Sequence, residues 1–111
     1  MPITPTKKIW MDGQLVDWDQ AMIHVLSHGL HYGTGAFEGV RAYPTSNGPA
    51  VFRLREHMQR LLNSCKILMI EVPFTLDELC DAVVETVRAN EMNQGCYIRP
   101  LVYLGYGEMG V

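Results

Sequence analysis

Apolar and polar residues alternate along several short stretches of the chain and recur at helical spacing along two longer ones. The alternation predicts a hairpin over 9–16, a short strand over 22–26, and strands over 37–43, 50–54 and 96–104. Asp12-Gly13 supplies the positive φ angles that the tight turn of the hairpin needs. Residues 44–49 are rich in Ser, Asn, Gly and Pro and predict a turn. Pro100 cannot donate to a strand ladder, so we expect an edge position or a bulge there.

Two longer stretches carry apolar stripes at spacings of three and four, which predicts helices over 55–70 and 75–90. The second helix begins with Thr75 and Glu78 in the arrangement of a capping box. The stripes are Met58, Leu61, Leu62, Cys65, Leu68 and Met69 in the first helix, and Leu76, Leu79, Cys80, Val83, Val84 and Val87 in the second. Strands, two consecutive helices and a returning strand predict an α+β fold, a two-layer sandwich whose mostly antiparallel sheet is covered on one face by two helices.

One face of the predicted sheet carries rings and positive charge. The strand that begins at Phe37 places Phe37, Gly39 and Arg41 on the same side, and the bare glycine leaves room for a small ligand. Tyr97 and Arg99 share the corresponding side of the last strand. Because the helices cover only the other face, these residues should be open to water. An exposed aromatic face is typical of a binding surface.

The composition narrows the class of protein. The 111 residues suit a loose polar tail over 1–8 and one domain over 9–111 with a modest core. A formal net charge of −3 gives no reason to expect nucleic acid or an anionic membrane as a partner. Three widely spaced cysteines fit neither a disulfide framework nor a zinc site, so the reducing cytoplasm is the simpler location. His28 and His31 lack a cluster of further ligands, and we expect no metal site.

Several segments together resemble one family. They read Leu-His-Tyr-Gly-Thr over 30–34, Phe-Glu-Gly-Val-Arg-Ala-Tyr over 37–43, Tyr-Ile-Arg-Pro-Leu over 97–101 and Gly-Glu-Met-Gly-Val over 107–111. In this order they resemble the opening of the branched-chain amino acid aminotransferases, pyridoxal 5'-phosphate enzymes of fold type IV. The resemblance implies the small N-terminal domain of that family, without the large domain.

The resemblance also implies that no residue of this chain is catalytic, because the family's Schiff-base lysine lies in the large domain. Lys7, Lys8 and Lys66 do not match it. We therefore expect the chain to be part of a longer protein, to fold, and to be inactive by itself.

Arg60 is the candidate for cofactor binding. From spacing alone it reads as a solvated surface arginine, because it lies away from the apolar stripe of its helix. By the resemblance, Arg60 aligns with the arginine that holds the phosphate of pyridoxal phosphate. A guanidinium suits that role because it stays charged and offers paired donors to phosphate oxygens.

The substrate-binding candidates come from the same resemblance. Tyr97 would help bind the α-carboxylate, and Arg99 would bind the distal carboxylate of glutamate or 2-oxoglutarate. Without the resemblance, Tyr97 and Arg99 are equally consistent with a cross-strand pair on a solvent-exposed face of the sheet. The resemblance assigns the pocket for a branched side chain and the start of the interdomain loop to Tyr32, Phe37, Gly39, Arg41, Met109 and Val111.

The complete enzyme implied by the resemblance transfers an amino group between leucine, isoleucine or valine and 2-oxoglutarate, as a homodimer or a higher homo-oligomer. Two alternatives stay open. One is another fold-type-IV enzyme, a D-amino acid transaminase or an aminodeoxychorismate lyase. The other is a non-catalytic interaction module that uses its exposed sheet face. Tyr-Ile-Arg-Pro-Leu with Gly-Glu-Met-Gly-Val favours the branched-chain group.

Overall fold

A computed structural model describes residues 3–107 as an α+β domain, which confirms the predicted class. The strands are β1 (Lys8–Met11), β2 (Gln14–Asp17), β3 (Gly35–Phe37), β4 (Val40–Thr45), β5 (Gly48–Val51), β6 (Cys96–Ile98) and β7 (Leu101–Tyr103). The helices are α1 (His28–Tyr32), α2 (Leu54–Ile67) and α3 (Leu76–Ala89). Within this range no helix combines the length and the apolar character needed to cross a membrane.

The predicted hairpin is confirmed by the pairing of β1 with β2. Asp12 and Gly13 have φ angles of 52° and 97°, both positive, as a tight hairpin turn requires. Strand β1 begins at Lys8, where Asn90 at the end of α3 accepts hydrogen bonds from the backbone N–H groups of Lys7 and Lys8 at 2.9 and 2.8 Å. The last residues of the predicted tail are therefore tied to the helix end, and looseness before them stays a prediction.

The predicted strands over 37–43 and 96–104 are each divided in two. Strand β3 pairs with β7, while β4 pairs with β5 and β6. Together with the β1–β2 hairpin, the strands of residues 3–107 therefore form three antiparallel sheets instead of one. At the division the N–H of Glu38 donates to the carbonyl of Pro100 at 3.0 Å. Because Pro100 has no N–H to return this bond, the ladder is interrupted there. The expected irregularity at Pro100 is confirmed.

The core lies where α2 and α3 cover the strands. Its buried apolar members are Val40, Met58, Leu61, Cys65, Ile70, Leu79 and Val83. Burying a side chain of the size of Met or Leu contributes roughly 1.5–3 kcal/mol, so this cluster is the main source of stability. The capping box of α3 is confirmed, since Thr75 and Glu78 each accept a hydrogen bond from the other's backbone N–H.

The end of α2 was predicted too late. The helix stops at Ile67, because Met69 turns into a left-handed conformation with φ 60°. The N–H groups of Met69 and Ile70 then bond back to the carbonyls of Lys66 and Cys65 at 3.1 and 2.8 Å, which closes the helix as a Schellman motif. This return puts Ile70 in the core and leaves Met69 91% exposed, so Met69 does not belong to the buried stripe.

Other elements also differ from the sequence prediction: the strand predicted over 50–54 ends at Val51, and Leu54 already begins α2. Residues 22–26 form no strand, and the short helix α1 follows them instead. Its first N–H groups, from His28 and Gly29, donate to the carbonyls of Gly105 and Leu104 at 3.1 and 2.7 Å. A five-residue helix is too short to show a period of 3.6 in its sequence. The turn predicted over 44–49 is narrower, because β4 and β5 extend to its two central residues.

Two glycines with positive φ provide a test of the packing before β6. A Cβ on Gly95 (φ 93°) would lie 2.6 Å from the carbonyl oxygen of Ala42, whereas one on Gly48 (φ 103°) would meet open space. Both alanine variants carry the cost of a strained backbone, but only Gly95→Ala adds a clash with main-chain atoms. We expect Gly95→Ala to lower the free energy of unfolding by about 1–3 kcal/mol more than Gly48→Ala. Urea unfolding of the chain measures the free energy of unfolding of both variants. Equal decreases would show that the backbone at Ala42 shifts and relieves the clash.

Candidate functional site

The alternation predicted for the strand after Phe37 is confirmed in β3 and β4. Val40 and Ala42 are buried under the helices, whereas Phe37, Gly39 and Arg41 face solvent. We call the surface formed by Phe37, Gly39, Arg41, Tyr97 and Arg99 the open face. The rings of Phe37 and Tyr97 are each about half exposed there.

Contacts among these side chains join them into one cluster. The guanidinium carbon of Arg99 lies 4.2 Å from the centre of the Phe37 ring and 5.4 Å from that of Tyr97. The Nε–H of Arg99 also donates to the Tyr97 hydroxyl at 3.0 Å. Arg41 is paired across the strands with Tyr97, and its guanidinium lies 5.7 Å from the same ring. Cation–π attraction operates over these distances, so each arginine rests on an aromatic surface.

The space beside Gly39 is filled, whereas the sequence suggests that it is open to a small ligand. A Cβ at this position would lie 2.8 Å from the Tyr97 hydroxyl, so the phenol occupies the space expected for a small ligand. The missing side chain lets the Tyr97 ring settle close to the strand. A role of Gly39 in substrate binding stays a prediction, which would act through the placement of Tyr97.

The other substrate-binding candidates are not part of this cluster. Tyr32 is exposed on α1 and packs on the ring of His28, with 4.5 Å between the ring centres. Met109 and Val111 lie outside the described residues. The structure therefore brings together the candidates on the open face and sets Tyr32 apart from them.

The open face carries two positive charges, those of Arg41 and Arg99. The ion pairs described within residues 3–107 involve Lys7, Lys8, Arg55, His57 and Arg60, and neither Arg41 nor Arg99 takes part in one. In this part of the chain, two guanidinium groups thus lie beside exposed rings with no carboxylate paired to them. Such a surface suits a ligand that has both a carboxylate and an apolar part.

Arg60 does have an acidic partner, the buried Glu38. Its Nε–H and an Nη2–H donate to the two carboxylate oxygens of Glu38 at 2.8 and 2.7 Å. His57, one helical turn before Arg60, donates from Nδ1 to Oε1 at 2.9 Å, because an ionised carboxylate only accepts. The Glu38 side chain is only 5% exposed. The hydrogen bonds from Arg60, aided by the one from His57, hold the pKa of Glu38 below its ordinary value although burial acts in the opposite direction.

The alternation that puts Phe37, Gly39 and Arg41 on one side of the strand puts Glu38 on the other side, but the sequence analysis names no partner for it. The signal was present, because a glutamate that shares the covered side with Val40 and Ala42 requires a compensating charge. The spacing of His57 and Arg60, three residues apart on one helix, offered that charge on a single helical face.

The guanidinium of Arg60 retains donors beyond those used by Glu38. An arginine has five N–H groups, and Glu38 takes one on Nε and one on Nη2. Among residues 3–107 no partner is found for the two on Nη1 or for the second on Nη2. This outer edge belongs to a side chain that is 68% exposed, so an anion in solvent can reach it. Hydrogen bonding to Glu38 raises the pKa of Arg60, which keeps the group charged.

The family model of amino-transferase class IV matches residues 35–110. The chain belongs to this family. The class IV aminotransferases that resemble it include the branched-chain-amino-acid aminotransferase of Salmonella typhimurium, which is 50% identical over 109 residues that cover 96% of this chain and 35% of the relative. The resemblance predicted from the sequence is confirmed.

Solved structures show the same relationship. The Escherichia coli branched-chain amino acid aminotransferase superposes with a TM-score of 0.91 and 48% identity, over 95% of this chain and 34% of that one. The enzyme of Thermoproteus uzoniensis, solved with norvaline, gives a TM-score of 0.90 and 50% identity, over 96% of this chain and 36% of that one. This class IV aminotransferase chain thus spans about a third of the length of the relatives it matches.

Proposed function

We propose that this chain is the substrate-recognising small domain of a branched-chain amino acid aminotransferase. The complete enzyme, in which a large domain joins this one, transfers the amino group between leucine, isoleucine or valine and 2-oxoglutarate. The observation that carries the proposal is the open face, where Arg41 and Arg99 lie on aromatic rings without an acidic partner among residues 3–107.

Such an enzyme must accept an acidic and an apolar side chain in one place. The guanidinium of Arg99 stacked on Phe37 offers both a charge and an apolar plane. A distal carboxylate pairs with the guanidinium, and a branched side chain packs against the rings. A further relative, 50% identical, supports this proposal, since that branched-chain aminotransferase is described complexed with N-(5'-phosphopyridoxyl)-L-glutamate and with 4-methylvaleric acid.

In this proposal Tyr97 orients the α-carboxylate through its hydroxyl, which also accepts a hydrogen bond from Arg99. By the resemblance, Tyr32, Met109 and Val111 complete the pocket for the branched side chain, and Gly39 contributes through the placement of Tyr97. The large domain would close the site over the open face and exclude water, which strengthens each charged contact within it.

Pyridoxal phosphate is the proposed cofactor, and the donor set of Arg60 fits its phosphate. The outer edge of the guanidinium presents N–H groups that Glu38 does not use, on a side chain open to solvent. When bound, the cofactor supplies an electron-withdrawing ring that stabilises negative charge at the substrate α-carbon. Lys7 and Lys8 are paired with Glu91 and Asp17, and Lys66 is exposed on α2. None of the three matches the family's Schiff-base lysine, so in this proposal the large domain supplies the group that moves the α-proton.

We also propose that the complete enzyme is cytoplasmic and forms a homodimer or a larger homo-oligomer, with branched-chain amino acids, glutamate and 2-oxoglutarate as its small-molecule partners. The free thiols of Cys65, Cys80 and Cys96 support a reducing location. The exposed apolar side chains of Met22 and Val25 support coverage by a large domain or a second subunit.

An amino-transfer assay tests the proposal. We expect the complete enzyme to transfer the amino group of L-leucine to 2-oxoglutarate, and residues 1–111 alone to give no turnover with added pyridoxal phosphate. D-alanine and aminodeoxychorismate are the comparison substrates. Faster reaction with either would replace the proposal by a D-amino acid transaminase or a lyase. Turnover by residues 1–111 alone would show that the large domain is dispensable.

A further inference from the structure

We propose that Glu38 is a positioning residue, which fixes the guanidinium of Arg60 so that its outer edge receives the cofactor phosphate. The inference rests on the proposed function and goes beyond it, because Glu38 contacts Arg60 on the side away from the edge proposed for the phosphate. Its contacts with Arg60 use the inner side of the guanidinium, through Nε and Nη2. The bidentate geometry leaves the side formed by Nη1 and Nη2 for another anion.

The carboxylate of Glu38 is itself held firmly. The backbone N–H of Glu38 donates to the carbonyl of Pro100 at the break in the strands, and His57 donates to one oxygen of the Glu38 carboxylate. Arg60 is therefore attached through two parallel hydrogen bonds to a buried group with little freedom of its own. A long exposed side chain normally loses rotamer freedom when it binds a ligand. Arg60 has lost much of that freedom before the phosphate arrives, which favours binding.

The cost of burying Glu38 indicates a purpose other than stability. Its neighbours on the same side of the strand, Val40 and Ala42, are apolar core residues. A buried ion pair is weak evidence for stability, because desolvation offsets much of the attraction and an apolar residue of similar size often serves the fold as well. The charge of Glu38 determines where the Arg60 guanidinium lies, and an apolar residue at this position would not fix the guanidinium.

Two explanations of Glu38 predict effects of opposite sign. If Glu38 matters only through its negative charge, it repels phosphate, and its removal should tighten cofactor binding. If Glu38 positions Arg60, its removal frees the guanidinium and should weaken binding. The guanidinium of Arg60 lies between Glu38 and the edge proposed for the phosphate, so its positive charge offsets the repulsion, and we expect the positioning effect to prevail.

The experiment uses the complete enzyme with Glu38→Gln and measures the dissociation constants of pyridoxal phosphate and of pyridoxal, which lacks the phosphate. We expect about 10-fold weaker binding of pyridoxal phosphate, as is typical when a group that orients a ligand-binding side chain is lost. Pyridoxal binding should be unchanged, which also reports that the variant is folded. In an Arg60→Ala background the same substitution should have no further effect.

Glu56→Gln is the matched control, since it removes one negative charge from an exposed position on the same helix, four residues from Arg60. It should bind pyridoxal phosphate like the wild type. Glu38→Asp is the second variant, which keeps the charge on a shorter side chain. Positioning predicts weaker binding here too, because the carboxylate no longer reaches both nitrogens.

Wild-type or tighter binding of pyridoxal phosphate by Glu38→Gln would overturn the inference. Loss of pyridoxal binding in both Glu38 variants would also overturn it, because Glu38 would then serve only the fold. If the wild-type enzyme itself fails to bind pyridoxal phosphate, the proposed function is wrong.

Discussion

Arg60→Ala in the complete enzyme is expected to weaken the binding of pyridoxal phosphate by roughly 10- to 100-fold, the effect of losing charge-assisted hydrogen bonds to a phosphate. The variant should also unfold at a lower temperature. The position of Arg60 off the apolar stripe of α2 predicts that the fold does not depend on it, whereas its pairing with the buried Glu38 predicts a loss of stability. Without Arg60, the buried carboxylate of Glu38 retains only His57 as a side-chain partner among the described residues, and an uncompensated buried charge is strongly destabilising.

Fluorescence titration with pyridoxal phosphate and thermal unfolding of the cofactor-free protein measure the two effects. Arg55→Ala is the control, because Arg55 is an exposed arginine of the same helix whose ion pair with Asp77 is also exposed. Adding Glu38→Gln to Arg60→Ala should recover much of the lost thermal midpoint and none of the lost affinity. If Arg60→Ala titrates like the wild type, its guanidinium serves Glu38 and not the cofactor.

Arg99→Ala should slow the half-reaction with glutamate by roughly 10- to 100-fold and change the half-reaction with leucine only slightly. Glutamate offers a second carboxylate to the guanidinium, whereas leucine has no group that pairs with it. Stopped-flow measurement of each half-reaction separates the two. Arg88→Ala, which removes an exposed arginine of α3, controls for the change in net charge.

The expected difference depends on where the Arg99 guanidinium lies, 4.2 Å from the centre of the Phe37 ring. Its removal uncovers that ring, so the leucine reaction keeps its apolar surface. Equal losses with both substrates would assign Arg99 to the support of Tyr97 through their hydrogen bond, with no part in choosing between side chains.

The elements that the sequence predicts correctly are those fixed by neighbouring residues. Asp12-Gly13 makes its turn through its own φ angles, and Thr75 and Glu78 cap α3 by bonding to each other. The open face could be predicted for the same reason. Once a strand is identified, alternation decides that Phe37 and Arg41 point to the same side.

The remaining features depend on groups that are far apart in the chain. The pairing of Glu38 with Arg60 joins residues 22 positions apart, and no periodic pattern contains it. The end of α2 depends on Ile70 returning to the core, and α1 depends on carbonyls of the last described segment. Tyr32 precedes Phe37 of the open face closely in sequence, yet its ring packs on His28.

The alternation along β3 and β4 has a consequence for how the enzyme can change during evolution. Phe37 and Arg41 meet the solvent side, while Glu38 and Val40, interleaved with them, meet the helices. In the proposed function, substitutions that alter substrate preference and substitutions of Glu38 that alter the hold on the cofactor therefore fall on alternate residues of one short segment. A lineage, or a combinatorial library, can explore new side-chain preferences on one set of positions while inheriting the other set unchanged.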